Sequence, residues 1–297
     1  MARTSGGPDG LAVVDKNAGW TSHDVVAKAR GLLGTRKVGH SGTLDPDATG
    51  LLLLGVGKVT RLLRYLGLTS KRYTGVVVLG TTTTTLDAAG EVTGTWDMSG
   101  IGLAEVRGAA TAFTGDILQV PPMVSAIQVD GRRLHELARE GIEVERSPRP
   151  VSVHSLTVGD PIAPGCFPIE VACSSGTYIR SLAADLGAAL GGGAHLRDLR
   201  RIAIGSFSIA QAVTLDALRP EVLLTPADAM RDLTTVTVDD AVRADIAHGK
   251  VLPVETFGLA SEVTEPWAVL GPDGSLLAVY ERHRGDTAKP GVVLVSA

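Results

Sequence analysis

The residues with the clearest chemical potential stand together at positions 37–50, which read Lys-Val-Gly-His-Ser-Gly-Thr-Leu-Asp-Pro-Asp-Ala-Thr-Gly. The segment holds an imidazole, His40, and a carboxylate, Asp45, at a fixed separation along the chain. Its glycines permit positive φ angles or close approach to a ligand, and Pro46 biases Asp45 towards an extended backbone. A turn that only connects two elements does not require this chemistry. We therefore interpret the segment as an active-site loop.

Two known kinds of binding loop do not fit this region, because residues that each loop needs are replaced. Asp45-Pro-Asp-Ala-Thr-Gly50 matches the first half of a calcium loop, but the twelfth position is Val56 where a bidentate glutamate is needed. A phosphate-binding loop around Gly57-Lys58 would need glycine at Leu52 and serine or threonine at Val59. On local residues alone, a plain connecting turn remains the alternative.

The composition is that of an ordinary globular protein, with 297 residues, 44% hydrophobic and 20% charged. This length predicts two domains. No apolar run approaches the roughly 20 residues of a membrane helix, and the first ten residues lack the apolar core of a signal peptide. We expect a cytoplasmic protein with a flexible lead-in at residues 1–10.

Cysteine and histidine usage gives no pattern of metal ligands. Cys166 and Cys173 are the only cysteines. In one strand they would lie about 23 Å apart, too far for a disulfide, so buried reduced thiols are expected. The seven histidines are scattered, and none pairs with another histidine or a cysteine at zinc-ligand spacing. The sequence predicts no metal and no other cofactor.

Positive charge is concentrated around the candidate loop. Residues 28–72 contain nine basic and two acidic side chains, a net charge of +7, although the whole chain carries −4. We call these nine side chains the basic island. A local basic surface on an acidic protein attracts a polyanion to one face. The alternative is a set of solvated surface residues with no common ligand.

Hydrophobic patterning predicts the elements that must hold the loop. Leu11–Asp15 reads as a buried strand, and Thr21-Ser-His-Asp24 has the form of a capping box that begins a helix. Leu51–Leu54 is a fully apolar run, and Tyr73–Leu79 is a strand by its β-branched content.

The second half of the chain has a more varied pattern. Residues 119–150 hold five arginines, five acidic residues and four prolines, which indicates a polar, mobile insertion with a short helix at Arg132–Glu140. Ser174-Ser-Gly-Thr177 is expected to cap a helix with an apolar stripe. After about residue 230, brief alternating strands and turns such as Gly271-Pro-Asp-Gly274 predict a small β domain of about 60 residues.

Six separate segments together carry a resemblance to a known family. They are Val14-Asp-Lys-Asn-Ala-Gly-Trp-Thr-Ser-His-Asp24, Gly39-His-Ser-Gly-Thr-Leu-Asp-Pro46, Lys71-Arg-Tyr-Thr74 with Leu79-Gly80 and Asp87, Gln119-Val-Pro-Pro-Met-Val-Ser-Ala126, Cys173-Ser-Ser-Gly-Thr-Tyr-Ile-Arg180 and Leu199-Arg-Arg201. In this order they resemble the bacterial tRNA pseudouridine-55 synthases, the TruB family, over about residues 11–207. The C-terminal part resembles, more loosely, the small PUA-type RNA-binding barrel of these enzymes.

The resemblance implies an α+β fold, with a mixed, mainly antiparallel central sheet flanked by helices and loops. It implies a catalytic domain at 11–230 that carries the mobile RNA-binding insertion at 119–150, and a PUA-like domain at 231–297. It implies a cytoplasmic isomerase that binds the T arm of tRNA, with no cofactor, no required protein partner and a monomeric state.

The implied reaction converts uridine 55 in the T loop of tRNA to its C-glycoside isomer after the nucleotide is flipped out. Asp45 matches the catalytic aspartate, which either attacks the sugar carbon C1′ or removes a proton from C2′. Arg180 matches its basic partner and should lower the pKa of that carboxyl. Tyr73 matches the aromatic residue that stacks on the extruded base. Without the resemblance, Arg180 would be read as an exposed helix residue and Tyr73 as part of a strand core.

Four further positions match residues that contact or support the substrate. His40 matches a residue that meets the flipped nucleotide, Lys16 one that supports the floor of the site, and Tyr178 and Leu199 residues that line the uracil pocket. Ordinary core packing is the alternative for the last two. Two rival functions remain open: a tRNA-binding folding factor, and a related synthase that acts on other RNA under guide-RNA direction.

Overall fold

The computed structural model describes residues 7–125, 127–129, 131–259 and 266–295. Of the lead-in expected at residues 1–10, residues 1–6 lie outside this description, and Gly10 already begins the first strand. Within the described ranges, no helix is both long and apolar enough to cross a membrane.

The strands, numbered in chain order, alternate with short helices and loops. They are β1 Gly10–Lys16, β2 Val38–Ser41, β3 Thr49–Val56, β4 Lys71–Leu79, β5 Thr81–Thr83, β6 Val92–Thr95, β7 Gly115–Gln119, β8 Gln128–Val129, β9 Arg132–Arg133, β10 Arg149–Val158, β11 Cys166–Cys173, β12 Ala194–Ile204, β13 Phe207–Ser208, β14 Val213–Thr214, β15 Thr234–Thr237, β16 Leu252–Pro253, β17 Trp267–Leu270, β18 Leu276–Arg282 and β19 Thr287–Val293.

The α-helices are short, and most of them flank the sheets. They are α1 Ser22–Leu32, α2 Leu63–Leu68, α3 Leu103–Ala110, α4 Leu134–Arg139, α5 Ile179–Ala189, α6 Pro226–Ala229 and α7 Asp240–Ala247. The capping box predicted for α1 is confirmed: the Thr21 hydroxyl accepts from the backbone N–H of Asp24, and the Asp24 carboxylate accepts from that of Thr21.

A large mixed sheet forms the body of the molecule. Its strands follow the order β14-β1-β3-β12-β4-β11-β10-β7, with β2 beside β3 and β13 beside β12. Pairing is antiparallel except between β1 and β14 and between β12 and β3. The expected fold class, a mixed and mainly antiparallel sheet flanked by helices, is therefore confirmed.

A second sheet follows in the C-terminal part of the chain. Its order is β15-β17-β18-β19-β16, with β15 and β17 parallel and the other pairs antiparallel. Side chains from this sheet, including Ala268, Val279 and Val292, share a buried cluster with Leu11 and Leu51 of the central sheet. Tyr65 and Arg64 of α2 also donate hydrogen bonds to the Glu281 carboxylate on β18. The C-terminal β unit is thus packed against the central sheet through α2.

One capping prediction is wrong. Helix α5 begins at Ile179, and its N-cap is Tyr178, which makes no side-chain cap bond. The hydroxyls at 174–177 are used in the preceding loop, where Ser174 accepts from the backbone N–H of Ser152 and Thr177 donates to the Ser174 carbonyl. The two cysteines stand at the ends of β11 as buried free thiols, as the sequence predicts.

Candidate active site

The candidate loop leaves β2 at Ser41, crosses the end of the sheet and enters β3 at Thr49. Gly42 adopts a φ of 77°, the left-handed region that favours glycine. The buried hydroxyl of Ser22, in the first turn of α1, accepts from the backbone N–H of Leu44 at 2.9 Å and donates to its carbonyl at 3.2 Å. Helix α1 therefore fixes the residue immediately before Asp45.

Lys16 holds the loop on the other side of Asp45, at Pro46. Its side chain is buried, and Nζ donates to the carbonyls of Asn17 at 3.0 Å, Trp20 at 2.7 Å and Pro46 at 2.8 Å. Burial lowers the pKa of Lys16 to about 8. All three ammonium N–H groups serve the backbone, so Lys16 supports the loop and does not line the cavity described below.

Arg180 connects Asp45 to a second carboxylate. Its Nε lies 3.0 Å from Oδ2 of Asp45, and its Nη1 lies 3.6 Å from Oδ2 of Asp87. The same guanidinium donates to the carbonyls of Thr85 at 2.9 Å and Val124 at 2.8 Å. Its side chain is 4% exposed, whereas that of Asp45 keeps 35%. The arginine is thus locked by four acceptors, and the aspartate remains open to a ligand.

The expected lowering of the Asp45 pKa by Arg180 is confirmed, but the net direction is the opposite. Burial is the largest influence and raises the pKa of Asp45, and the neighbouring Asp87 also raises it. Arg180 and Lys16 lower it, but the pKa of Asp45 stays above its ordinary value. The sequence indicates which charged residues stand near Asp45, but it does not show how far the carboxylate is buried. A carboxylate with weakened hydration is a stronger base and nucleophile than an exposed one.

A cavity of about 270 Å³ opens beside Asp45. Of the seven residues predicted for the site, the cavity brings together the five named here: Asp45, Tyr73, Tyr178, Arg180 and Leu199. They come from the loop before β3, from β4, from the start of α5 and from β12. Lys16 lies beneath the loop and His40 lies elsewhere, so those two are not part of the wall.

His40 stands on β2, opposite Leu54, and packs edge-on against His23 with ring centroids 5.3 Å apart. Its Nδ1 is buried without a hydrogen-bond partner among the described residues. Burial and the neighbouring His23 lower the pKa of His40 to about 4, so the ring is neutral at pH 7. The geometry does not join His40 to the Asp45 cavity.

Gln119 fixes the position of Tyr178, a contact that was not predicted. Its Oε1 accepts from the backbone N–H of Tyr178 at 2.7 Å, and its Nε2 donates to the Tyr178 carbonyl at 3.0 Å. Gln119 is buried at the end of β7, where the insertion at 119–150 begins. One side chain therefore couples the base of the insertion to the cavity wall.

Five members of the basic island make contacts within the protein. Arg64 pairs with Glu281, Arg72 pairs with Glu170, and Lys71 is buried. Lys58 and Arg61 donate to carbonyls of the C-terminal sheet region. The other four members, Lys28, Arg30, Arg36 and Lys37, are exposed, and Arg30 also donates to the Val38 carbonyl. The charge available to a polyanion is therefore smaller than the composition implies.

The sequence did not reveal the part that several residues play in the site. Asp87 and Gln119 occur in the quoted motifs but were given no role, and Lys71 and Arg201 also line the cavity. All four occur in the motifs quoted above, and this was the one feature of the sequence that could have pointed to them. Among the described residues, no group of three or more His, Cys, Asp or Glu side chains could hold a metal ion.

Comparison with known proteins identifies the family of this chain. Residues 30–179 match the model of the TruB family pseudouridylate synthase N-terminal domain, and residues 180–246 match that of the tRNA pseudouridylate synthase B C-terminal domain. The tRNA pseudouridine synthase B of Streptomyces coelicolor is 47% identical over 94% of this chain and 95% of its own length. That of Thermobifida fusca is 46% identical over 97% of this chain and 99% of its own length.

The fold is also found among solved structures. A chain of a Cbf5-Nop10-Gar1 complex superposes with a TM-score of 0.76 at 24% identity, covering 100% of this chain and 92% of that one. A chain of an H/ACA RNP bound to a substrate RNA containing 2′-deoxyuridine gives 0.73 at 22% identity, covering 99% and 92%. At these identities the likeness concerns the fold alone. The family models and the near full-length relatives decide the assignment: the chain belongs to the TruB family of tRNA pseudouridine synthases.

Proposed function

We propose that this enzyme isomerises uridine 55 in the T loop of tRNA to pseudouridine and that Asp45 is the reacting side chain. The observation that carries the proposal is the cavity itself: its wall contains a partly exposed carboxylate, held 3.0 Å from a buried guanidinium, together with Tyr73. A uridine inside a folded loop cannot reach this carboxylate, so the nucleotide must be extruded, at a cost of a few kcal/mol.

In the proposed reaction, the extruded base stacks on Tyr73 and lies against Tyr178 and Leu199. Asp45 then either attacks C1′ or removes the C2′ proton, and the N1–C1′ bond breaks. The freed uracil rotates and C5 bonds to C1′. On the first route this bond displaces the Asp45 carboxylate from C1′, and on the second the proton held by Asp45 returns to C2′. N1 then takes up a proton, and the proton on C5 is lost. Arg180 holds the Asp45 carboxylate in position through this sequence, because its other donors are fixed on backbone carbonyls. Neither Asp45 route requires a redox step.

RNA binding is proposed to involve three regions. The exposed cations Lys28, Arg36 and Lys37 would contact phosphates, whose neutralisation offsets the cost of extrusion. The insertion at 119–150 would close over the T arm, and the β unit at 231–297 would act as a PUA-like RNA-binding domain attached to the catalytic domain at 11–230. His40 is proposed to meet the RNA outside the cavity.

We propose a monomer that needs no protein partner and works in the cytoplasm on tRNA.

The site of modification is tested by carbodiimide-dependent primer extension on tRNA transcripts. Wild-type protein should produce a single stop that corresponds to position 55 in a transcript with an intact T loop. A transcript with a scrambled T loop should give no stop. Stops at other uridines, or equal modification of both transcripts, would overturn the assignment of the T loop as substrate.

A further inference from the structure

Two cations in the cavity have no role in the reaction as described so far. Lys71 on β4 and Arg201 on β12 both line the cavity that contains Asp45. Lys71 is 7% exposed and Arg201 is 1% exposed. Buried charges are costly unless they are paired, so a pair of like charges in one wall needs an explanation.

The sheet sets these cations around Tyr73. Lys71 and Tyr73 are two residues apart on β4 and so point to the same face of the sheet. Arg201 lies directly opposite Tyr73 in the antiparallel register of β4 and β12. Both side chains also approach Gly42, where an added Cβ would meet Nη1 of Arg201 at 3.4 Å and Cε of Lys71 at 3.7 Å. The two cations therefore converge beside the ring on which the base is proposed to stack.

Backbone carbonyls hold both cations without neutralising them. Lys71 Nζ donates to Gly67 at 3.0 Å and Thr69 at 2.8 Å, which uses two of its three N–H groups. Arg201 donates to Leu51 at 2.8 Å and Gly42 at 3.0 Å. In the part of the chain that the structure describes, neither cation takes part in an ion pair, whereas Arg180 pairs with Asp45 and Asp87.

The titratable neighbours do not supply the missing negative charge. Burial raises the pKa of the adjacent Cys173 thiol to about 11 and also raises the pKa of the Tyr73 phenol, so both groups are neutral at pH 7. Burial and Arg201 lower the pKa of Lys71 to about 8, which leaves the amine largely protonated at pH 7. This wall of the cavity is therefore positive in the free enzyme.

We propose that Lys71 and Arg201 stabilise the negative charge that uracil acquires when its bond to the ribose breaks. This inference rests on the proposed function. As the N1–C1′ bond breaks, its electron pair goes to N1, and the charge spreads to the two carbonyl oxygens of the ring. Cations fixed before the reaction act on charge that develops in the transition state, so they accelerate this step more than they strengthen substrate binding.

The test compares two leaving groups. T-arm RNA carries uridine or 5-fluorouridine at the target position, and disappearance of the intact nucleoside is followed by chromatography after digestion, under single-turnover conditions. Fluorine stabilises the uracil anion, so the reaction should depend less on the cations. Lys71→Met should lower the rate of the uridine reaction about 100-fold or more. Its effect on the rate of the 5-fluorouridine reaction should be smaller by a factor of at least about ten. Lys28→Met is the matched control: it removes an exposed cation and should slow both substrates by one common factor.

Equal slowing of both substrates by Lys71→Met would overturn the proposal. A second measurement needs only the wild-type protein and applies if the variant does not fold. RNA with 6-azauridine at the target, whose N3 proton ionises near neutral pH, should show a lower pKa of that base when bound than when free, by ultraviolet absorbance. An unchanged or raised pKa would also overturn the proposal. Failure of the proposed function is recognised separately, because the wild-type protein would then leave uridine RNA unmodified.

Discussion

The Nε of Arg180 lies 3.0 Å from Oδ2 of Asp45, although one residue belongs to α5 and the other to the loop before β3. The guanidinium is almost fully buried and also donates to the backbone of Thr85 and Val124. The orientation of the carboxylate is therefore set by an arginine that has little freedom of its own. Removing Asp45 would leave a buried guanidinium without its nearest carboxylate, which is costly.

The pH dependence of the reaction follows from this pair. In the proposed reaction Asp45 acts in its ionised form, and burial raises its pKa. The value of kcat/KM should therefore fall on acidification at a higher pH than an exposed aspartate would give. Because Arg180 lowers the pKa of Asp45, Arg180→Met should move the acid limb to still higher pH, and Arg180→Lys should move it less. Single-turnover rates between pH 4 and 8 measure the effect. An acid limb that moves to lower pH in Arg180→Met would contradict the account.

Gln119 gives a prediction about positioning. Gln119→Leu leaves the backbone N–H and carbonyl of Tyr178 without their side-chain partners, which should cost about 2 kcal/mol of stability. Tyr178 should lose its fixed place in the cavity wall, so kcat should fall at least about tenfold. Gln119→Glu is the matched control, because it keeps an acceptor for the N–H of Tyr178. A Leu variant with full kcat would show that Tyr178 needs no such support.

Gly50 tests the junction of β3 and β12. Its φ is 102°, and an added Cβ would lie 2.2 Å from the carbonyl oxygen of Arg201. Gly50→Ala should therefore destabilise the protein by about 3 kcal/mol or more. Gly31→Ala in α1 is the control, because its added Cβ would have no neighbour within 4 Å beyond the adjoining residues and the backbone of its own helix. This change should stabilise the protein by about 0.5–1 kcal/mol. Urea unfolding midpoints measure both, and equal midpoints would argue against the close approach.

Local features of the structure could be read from the sequence because they depend on neighbouring residues. The capping box of Thr21 and Asp24 and the buried apolar run at Leu51–Leu54 are examples. The cap expected at 174–177 failed because those hydroxyls have backbone partners on β10 and in their own loop. A propensity pattern cannot reveal that competition.

Contacts between residues that are far apart in the chain could not be predicted from local sequence patterns. The pairing of Gln119 with Tyr178 and the approach of Arg201 to Gly42 depend on the register of the sheet. The rise in the Asp45 pKa depends on burial, which no list of charged neighbours supplies. The residues that we propose as catalytic were chosen from the resemblance of short motifs, whereas the groups that hold them in place could be identified only from the fold.

The insertion at 119–150 gives a prediction about motion. Arg139, at the end of α4, is exposed and offers a site for trypsin in the free protein. If the insertion closes over the T arm, bound tRNA should slow cleavage at this site, and tRNA with a scrambled T loop should not. Arg139→Gln identifies the fragment. Cleavage at the same rate with and without tRNA would count against closure.

The role of Asp45 is tested most directly by tritium release from tRNA that contains 5-[³H]uridine. Formation of the new C5–C1′ bond expels the hydrogen on C5, so release reports the complete reaction. Wild-type protein should release the label from one uridine per tRNA. Asp45→Asn, which keeps the shape of the side chain, should bind the tRNA and release essentially none. Release by the Asn variant at the wild-type rate would contradict the central claim.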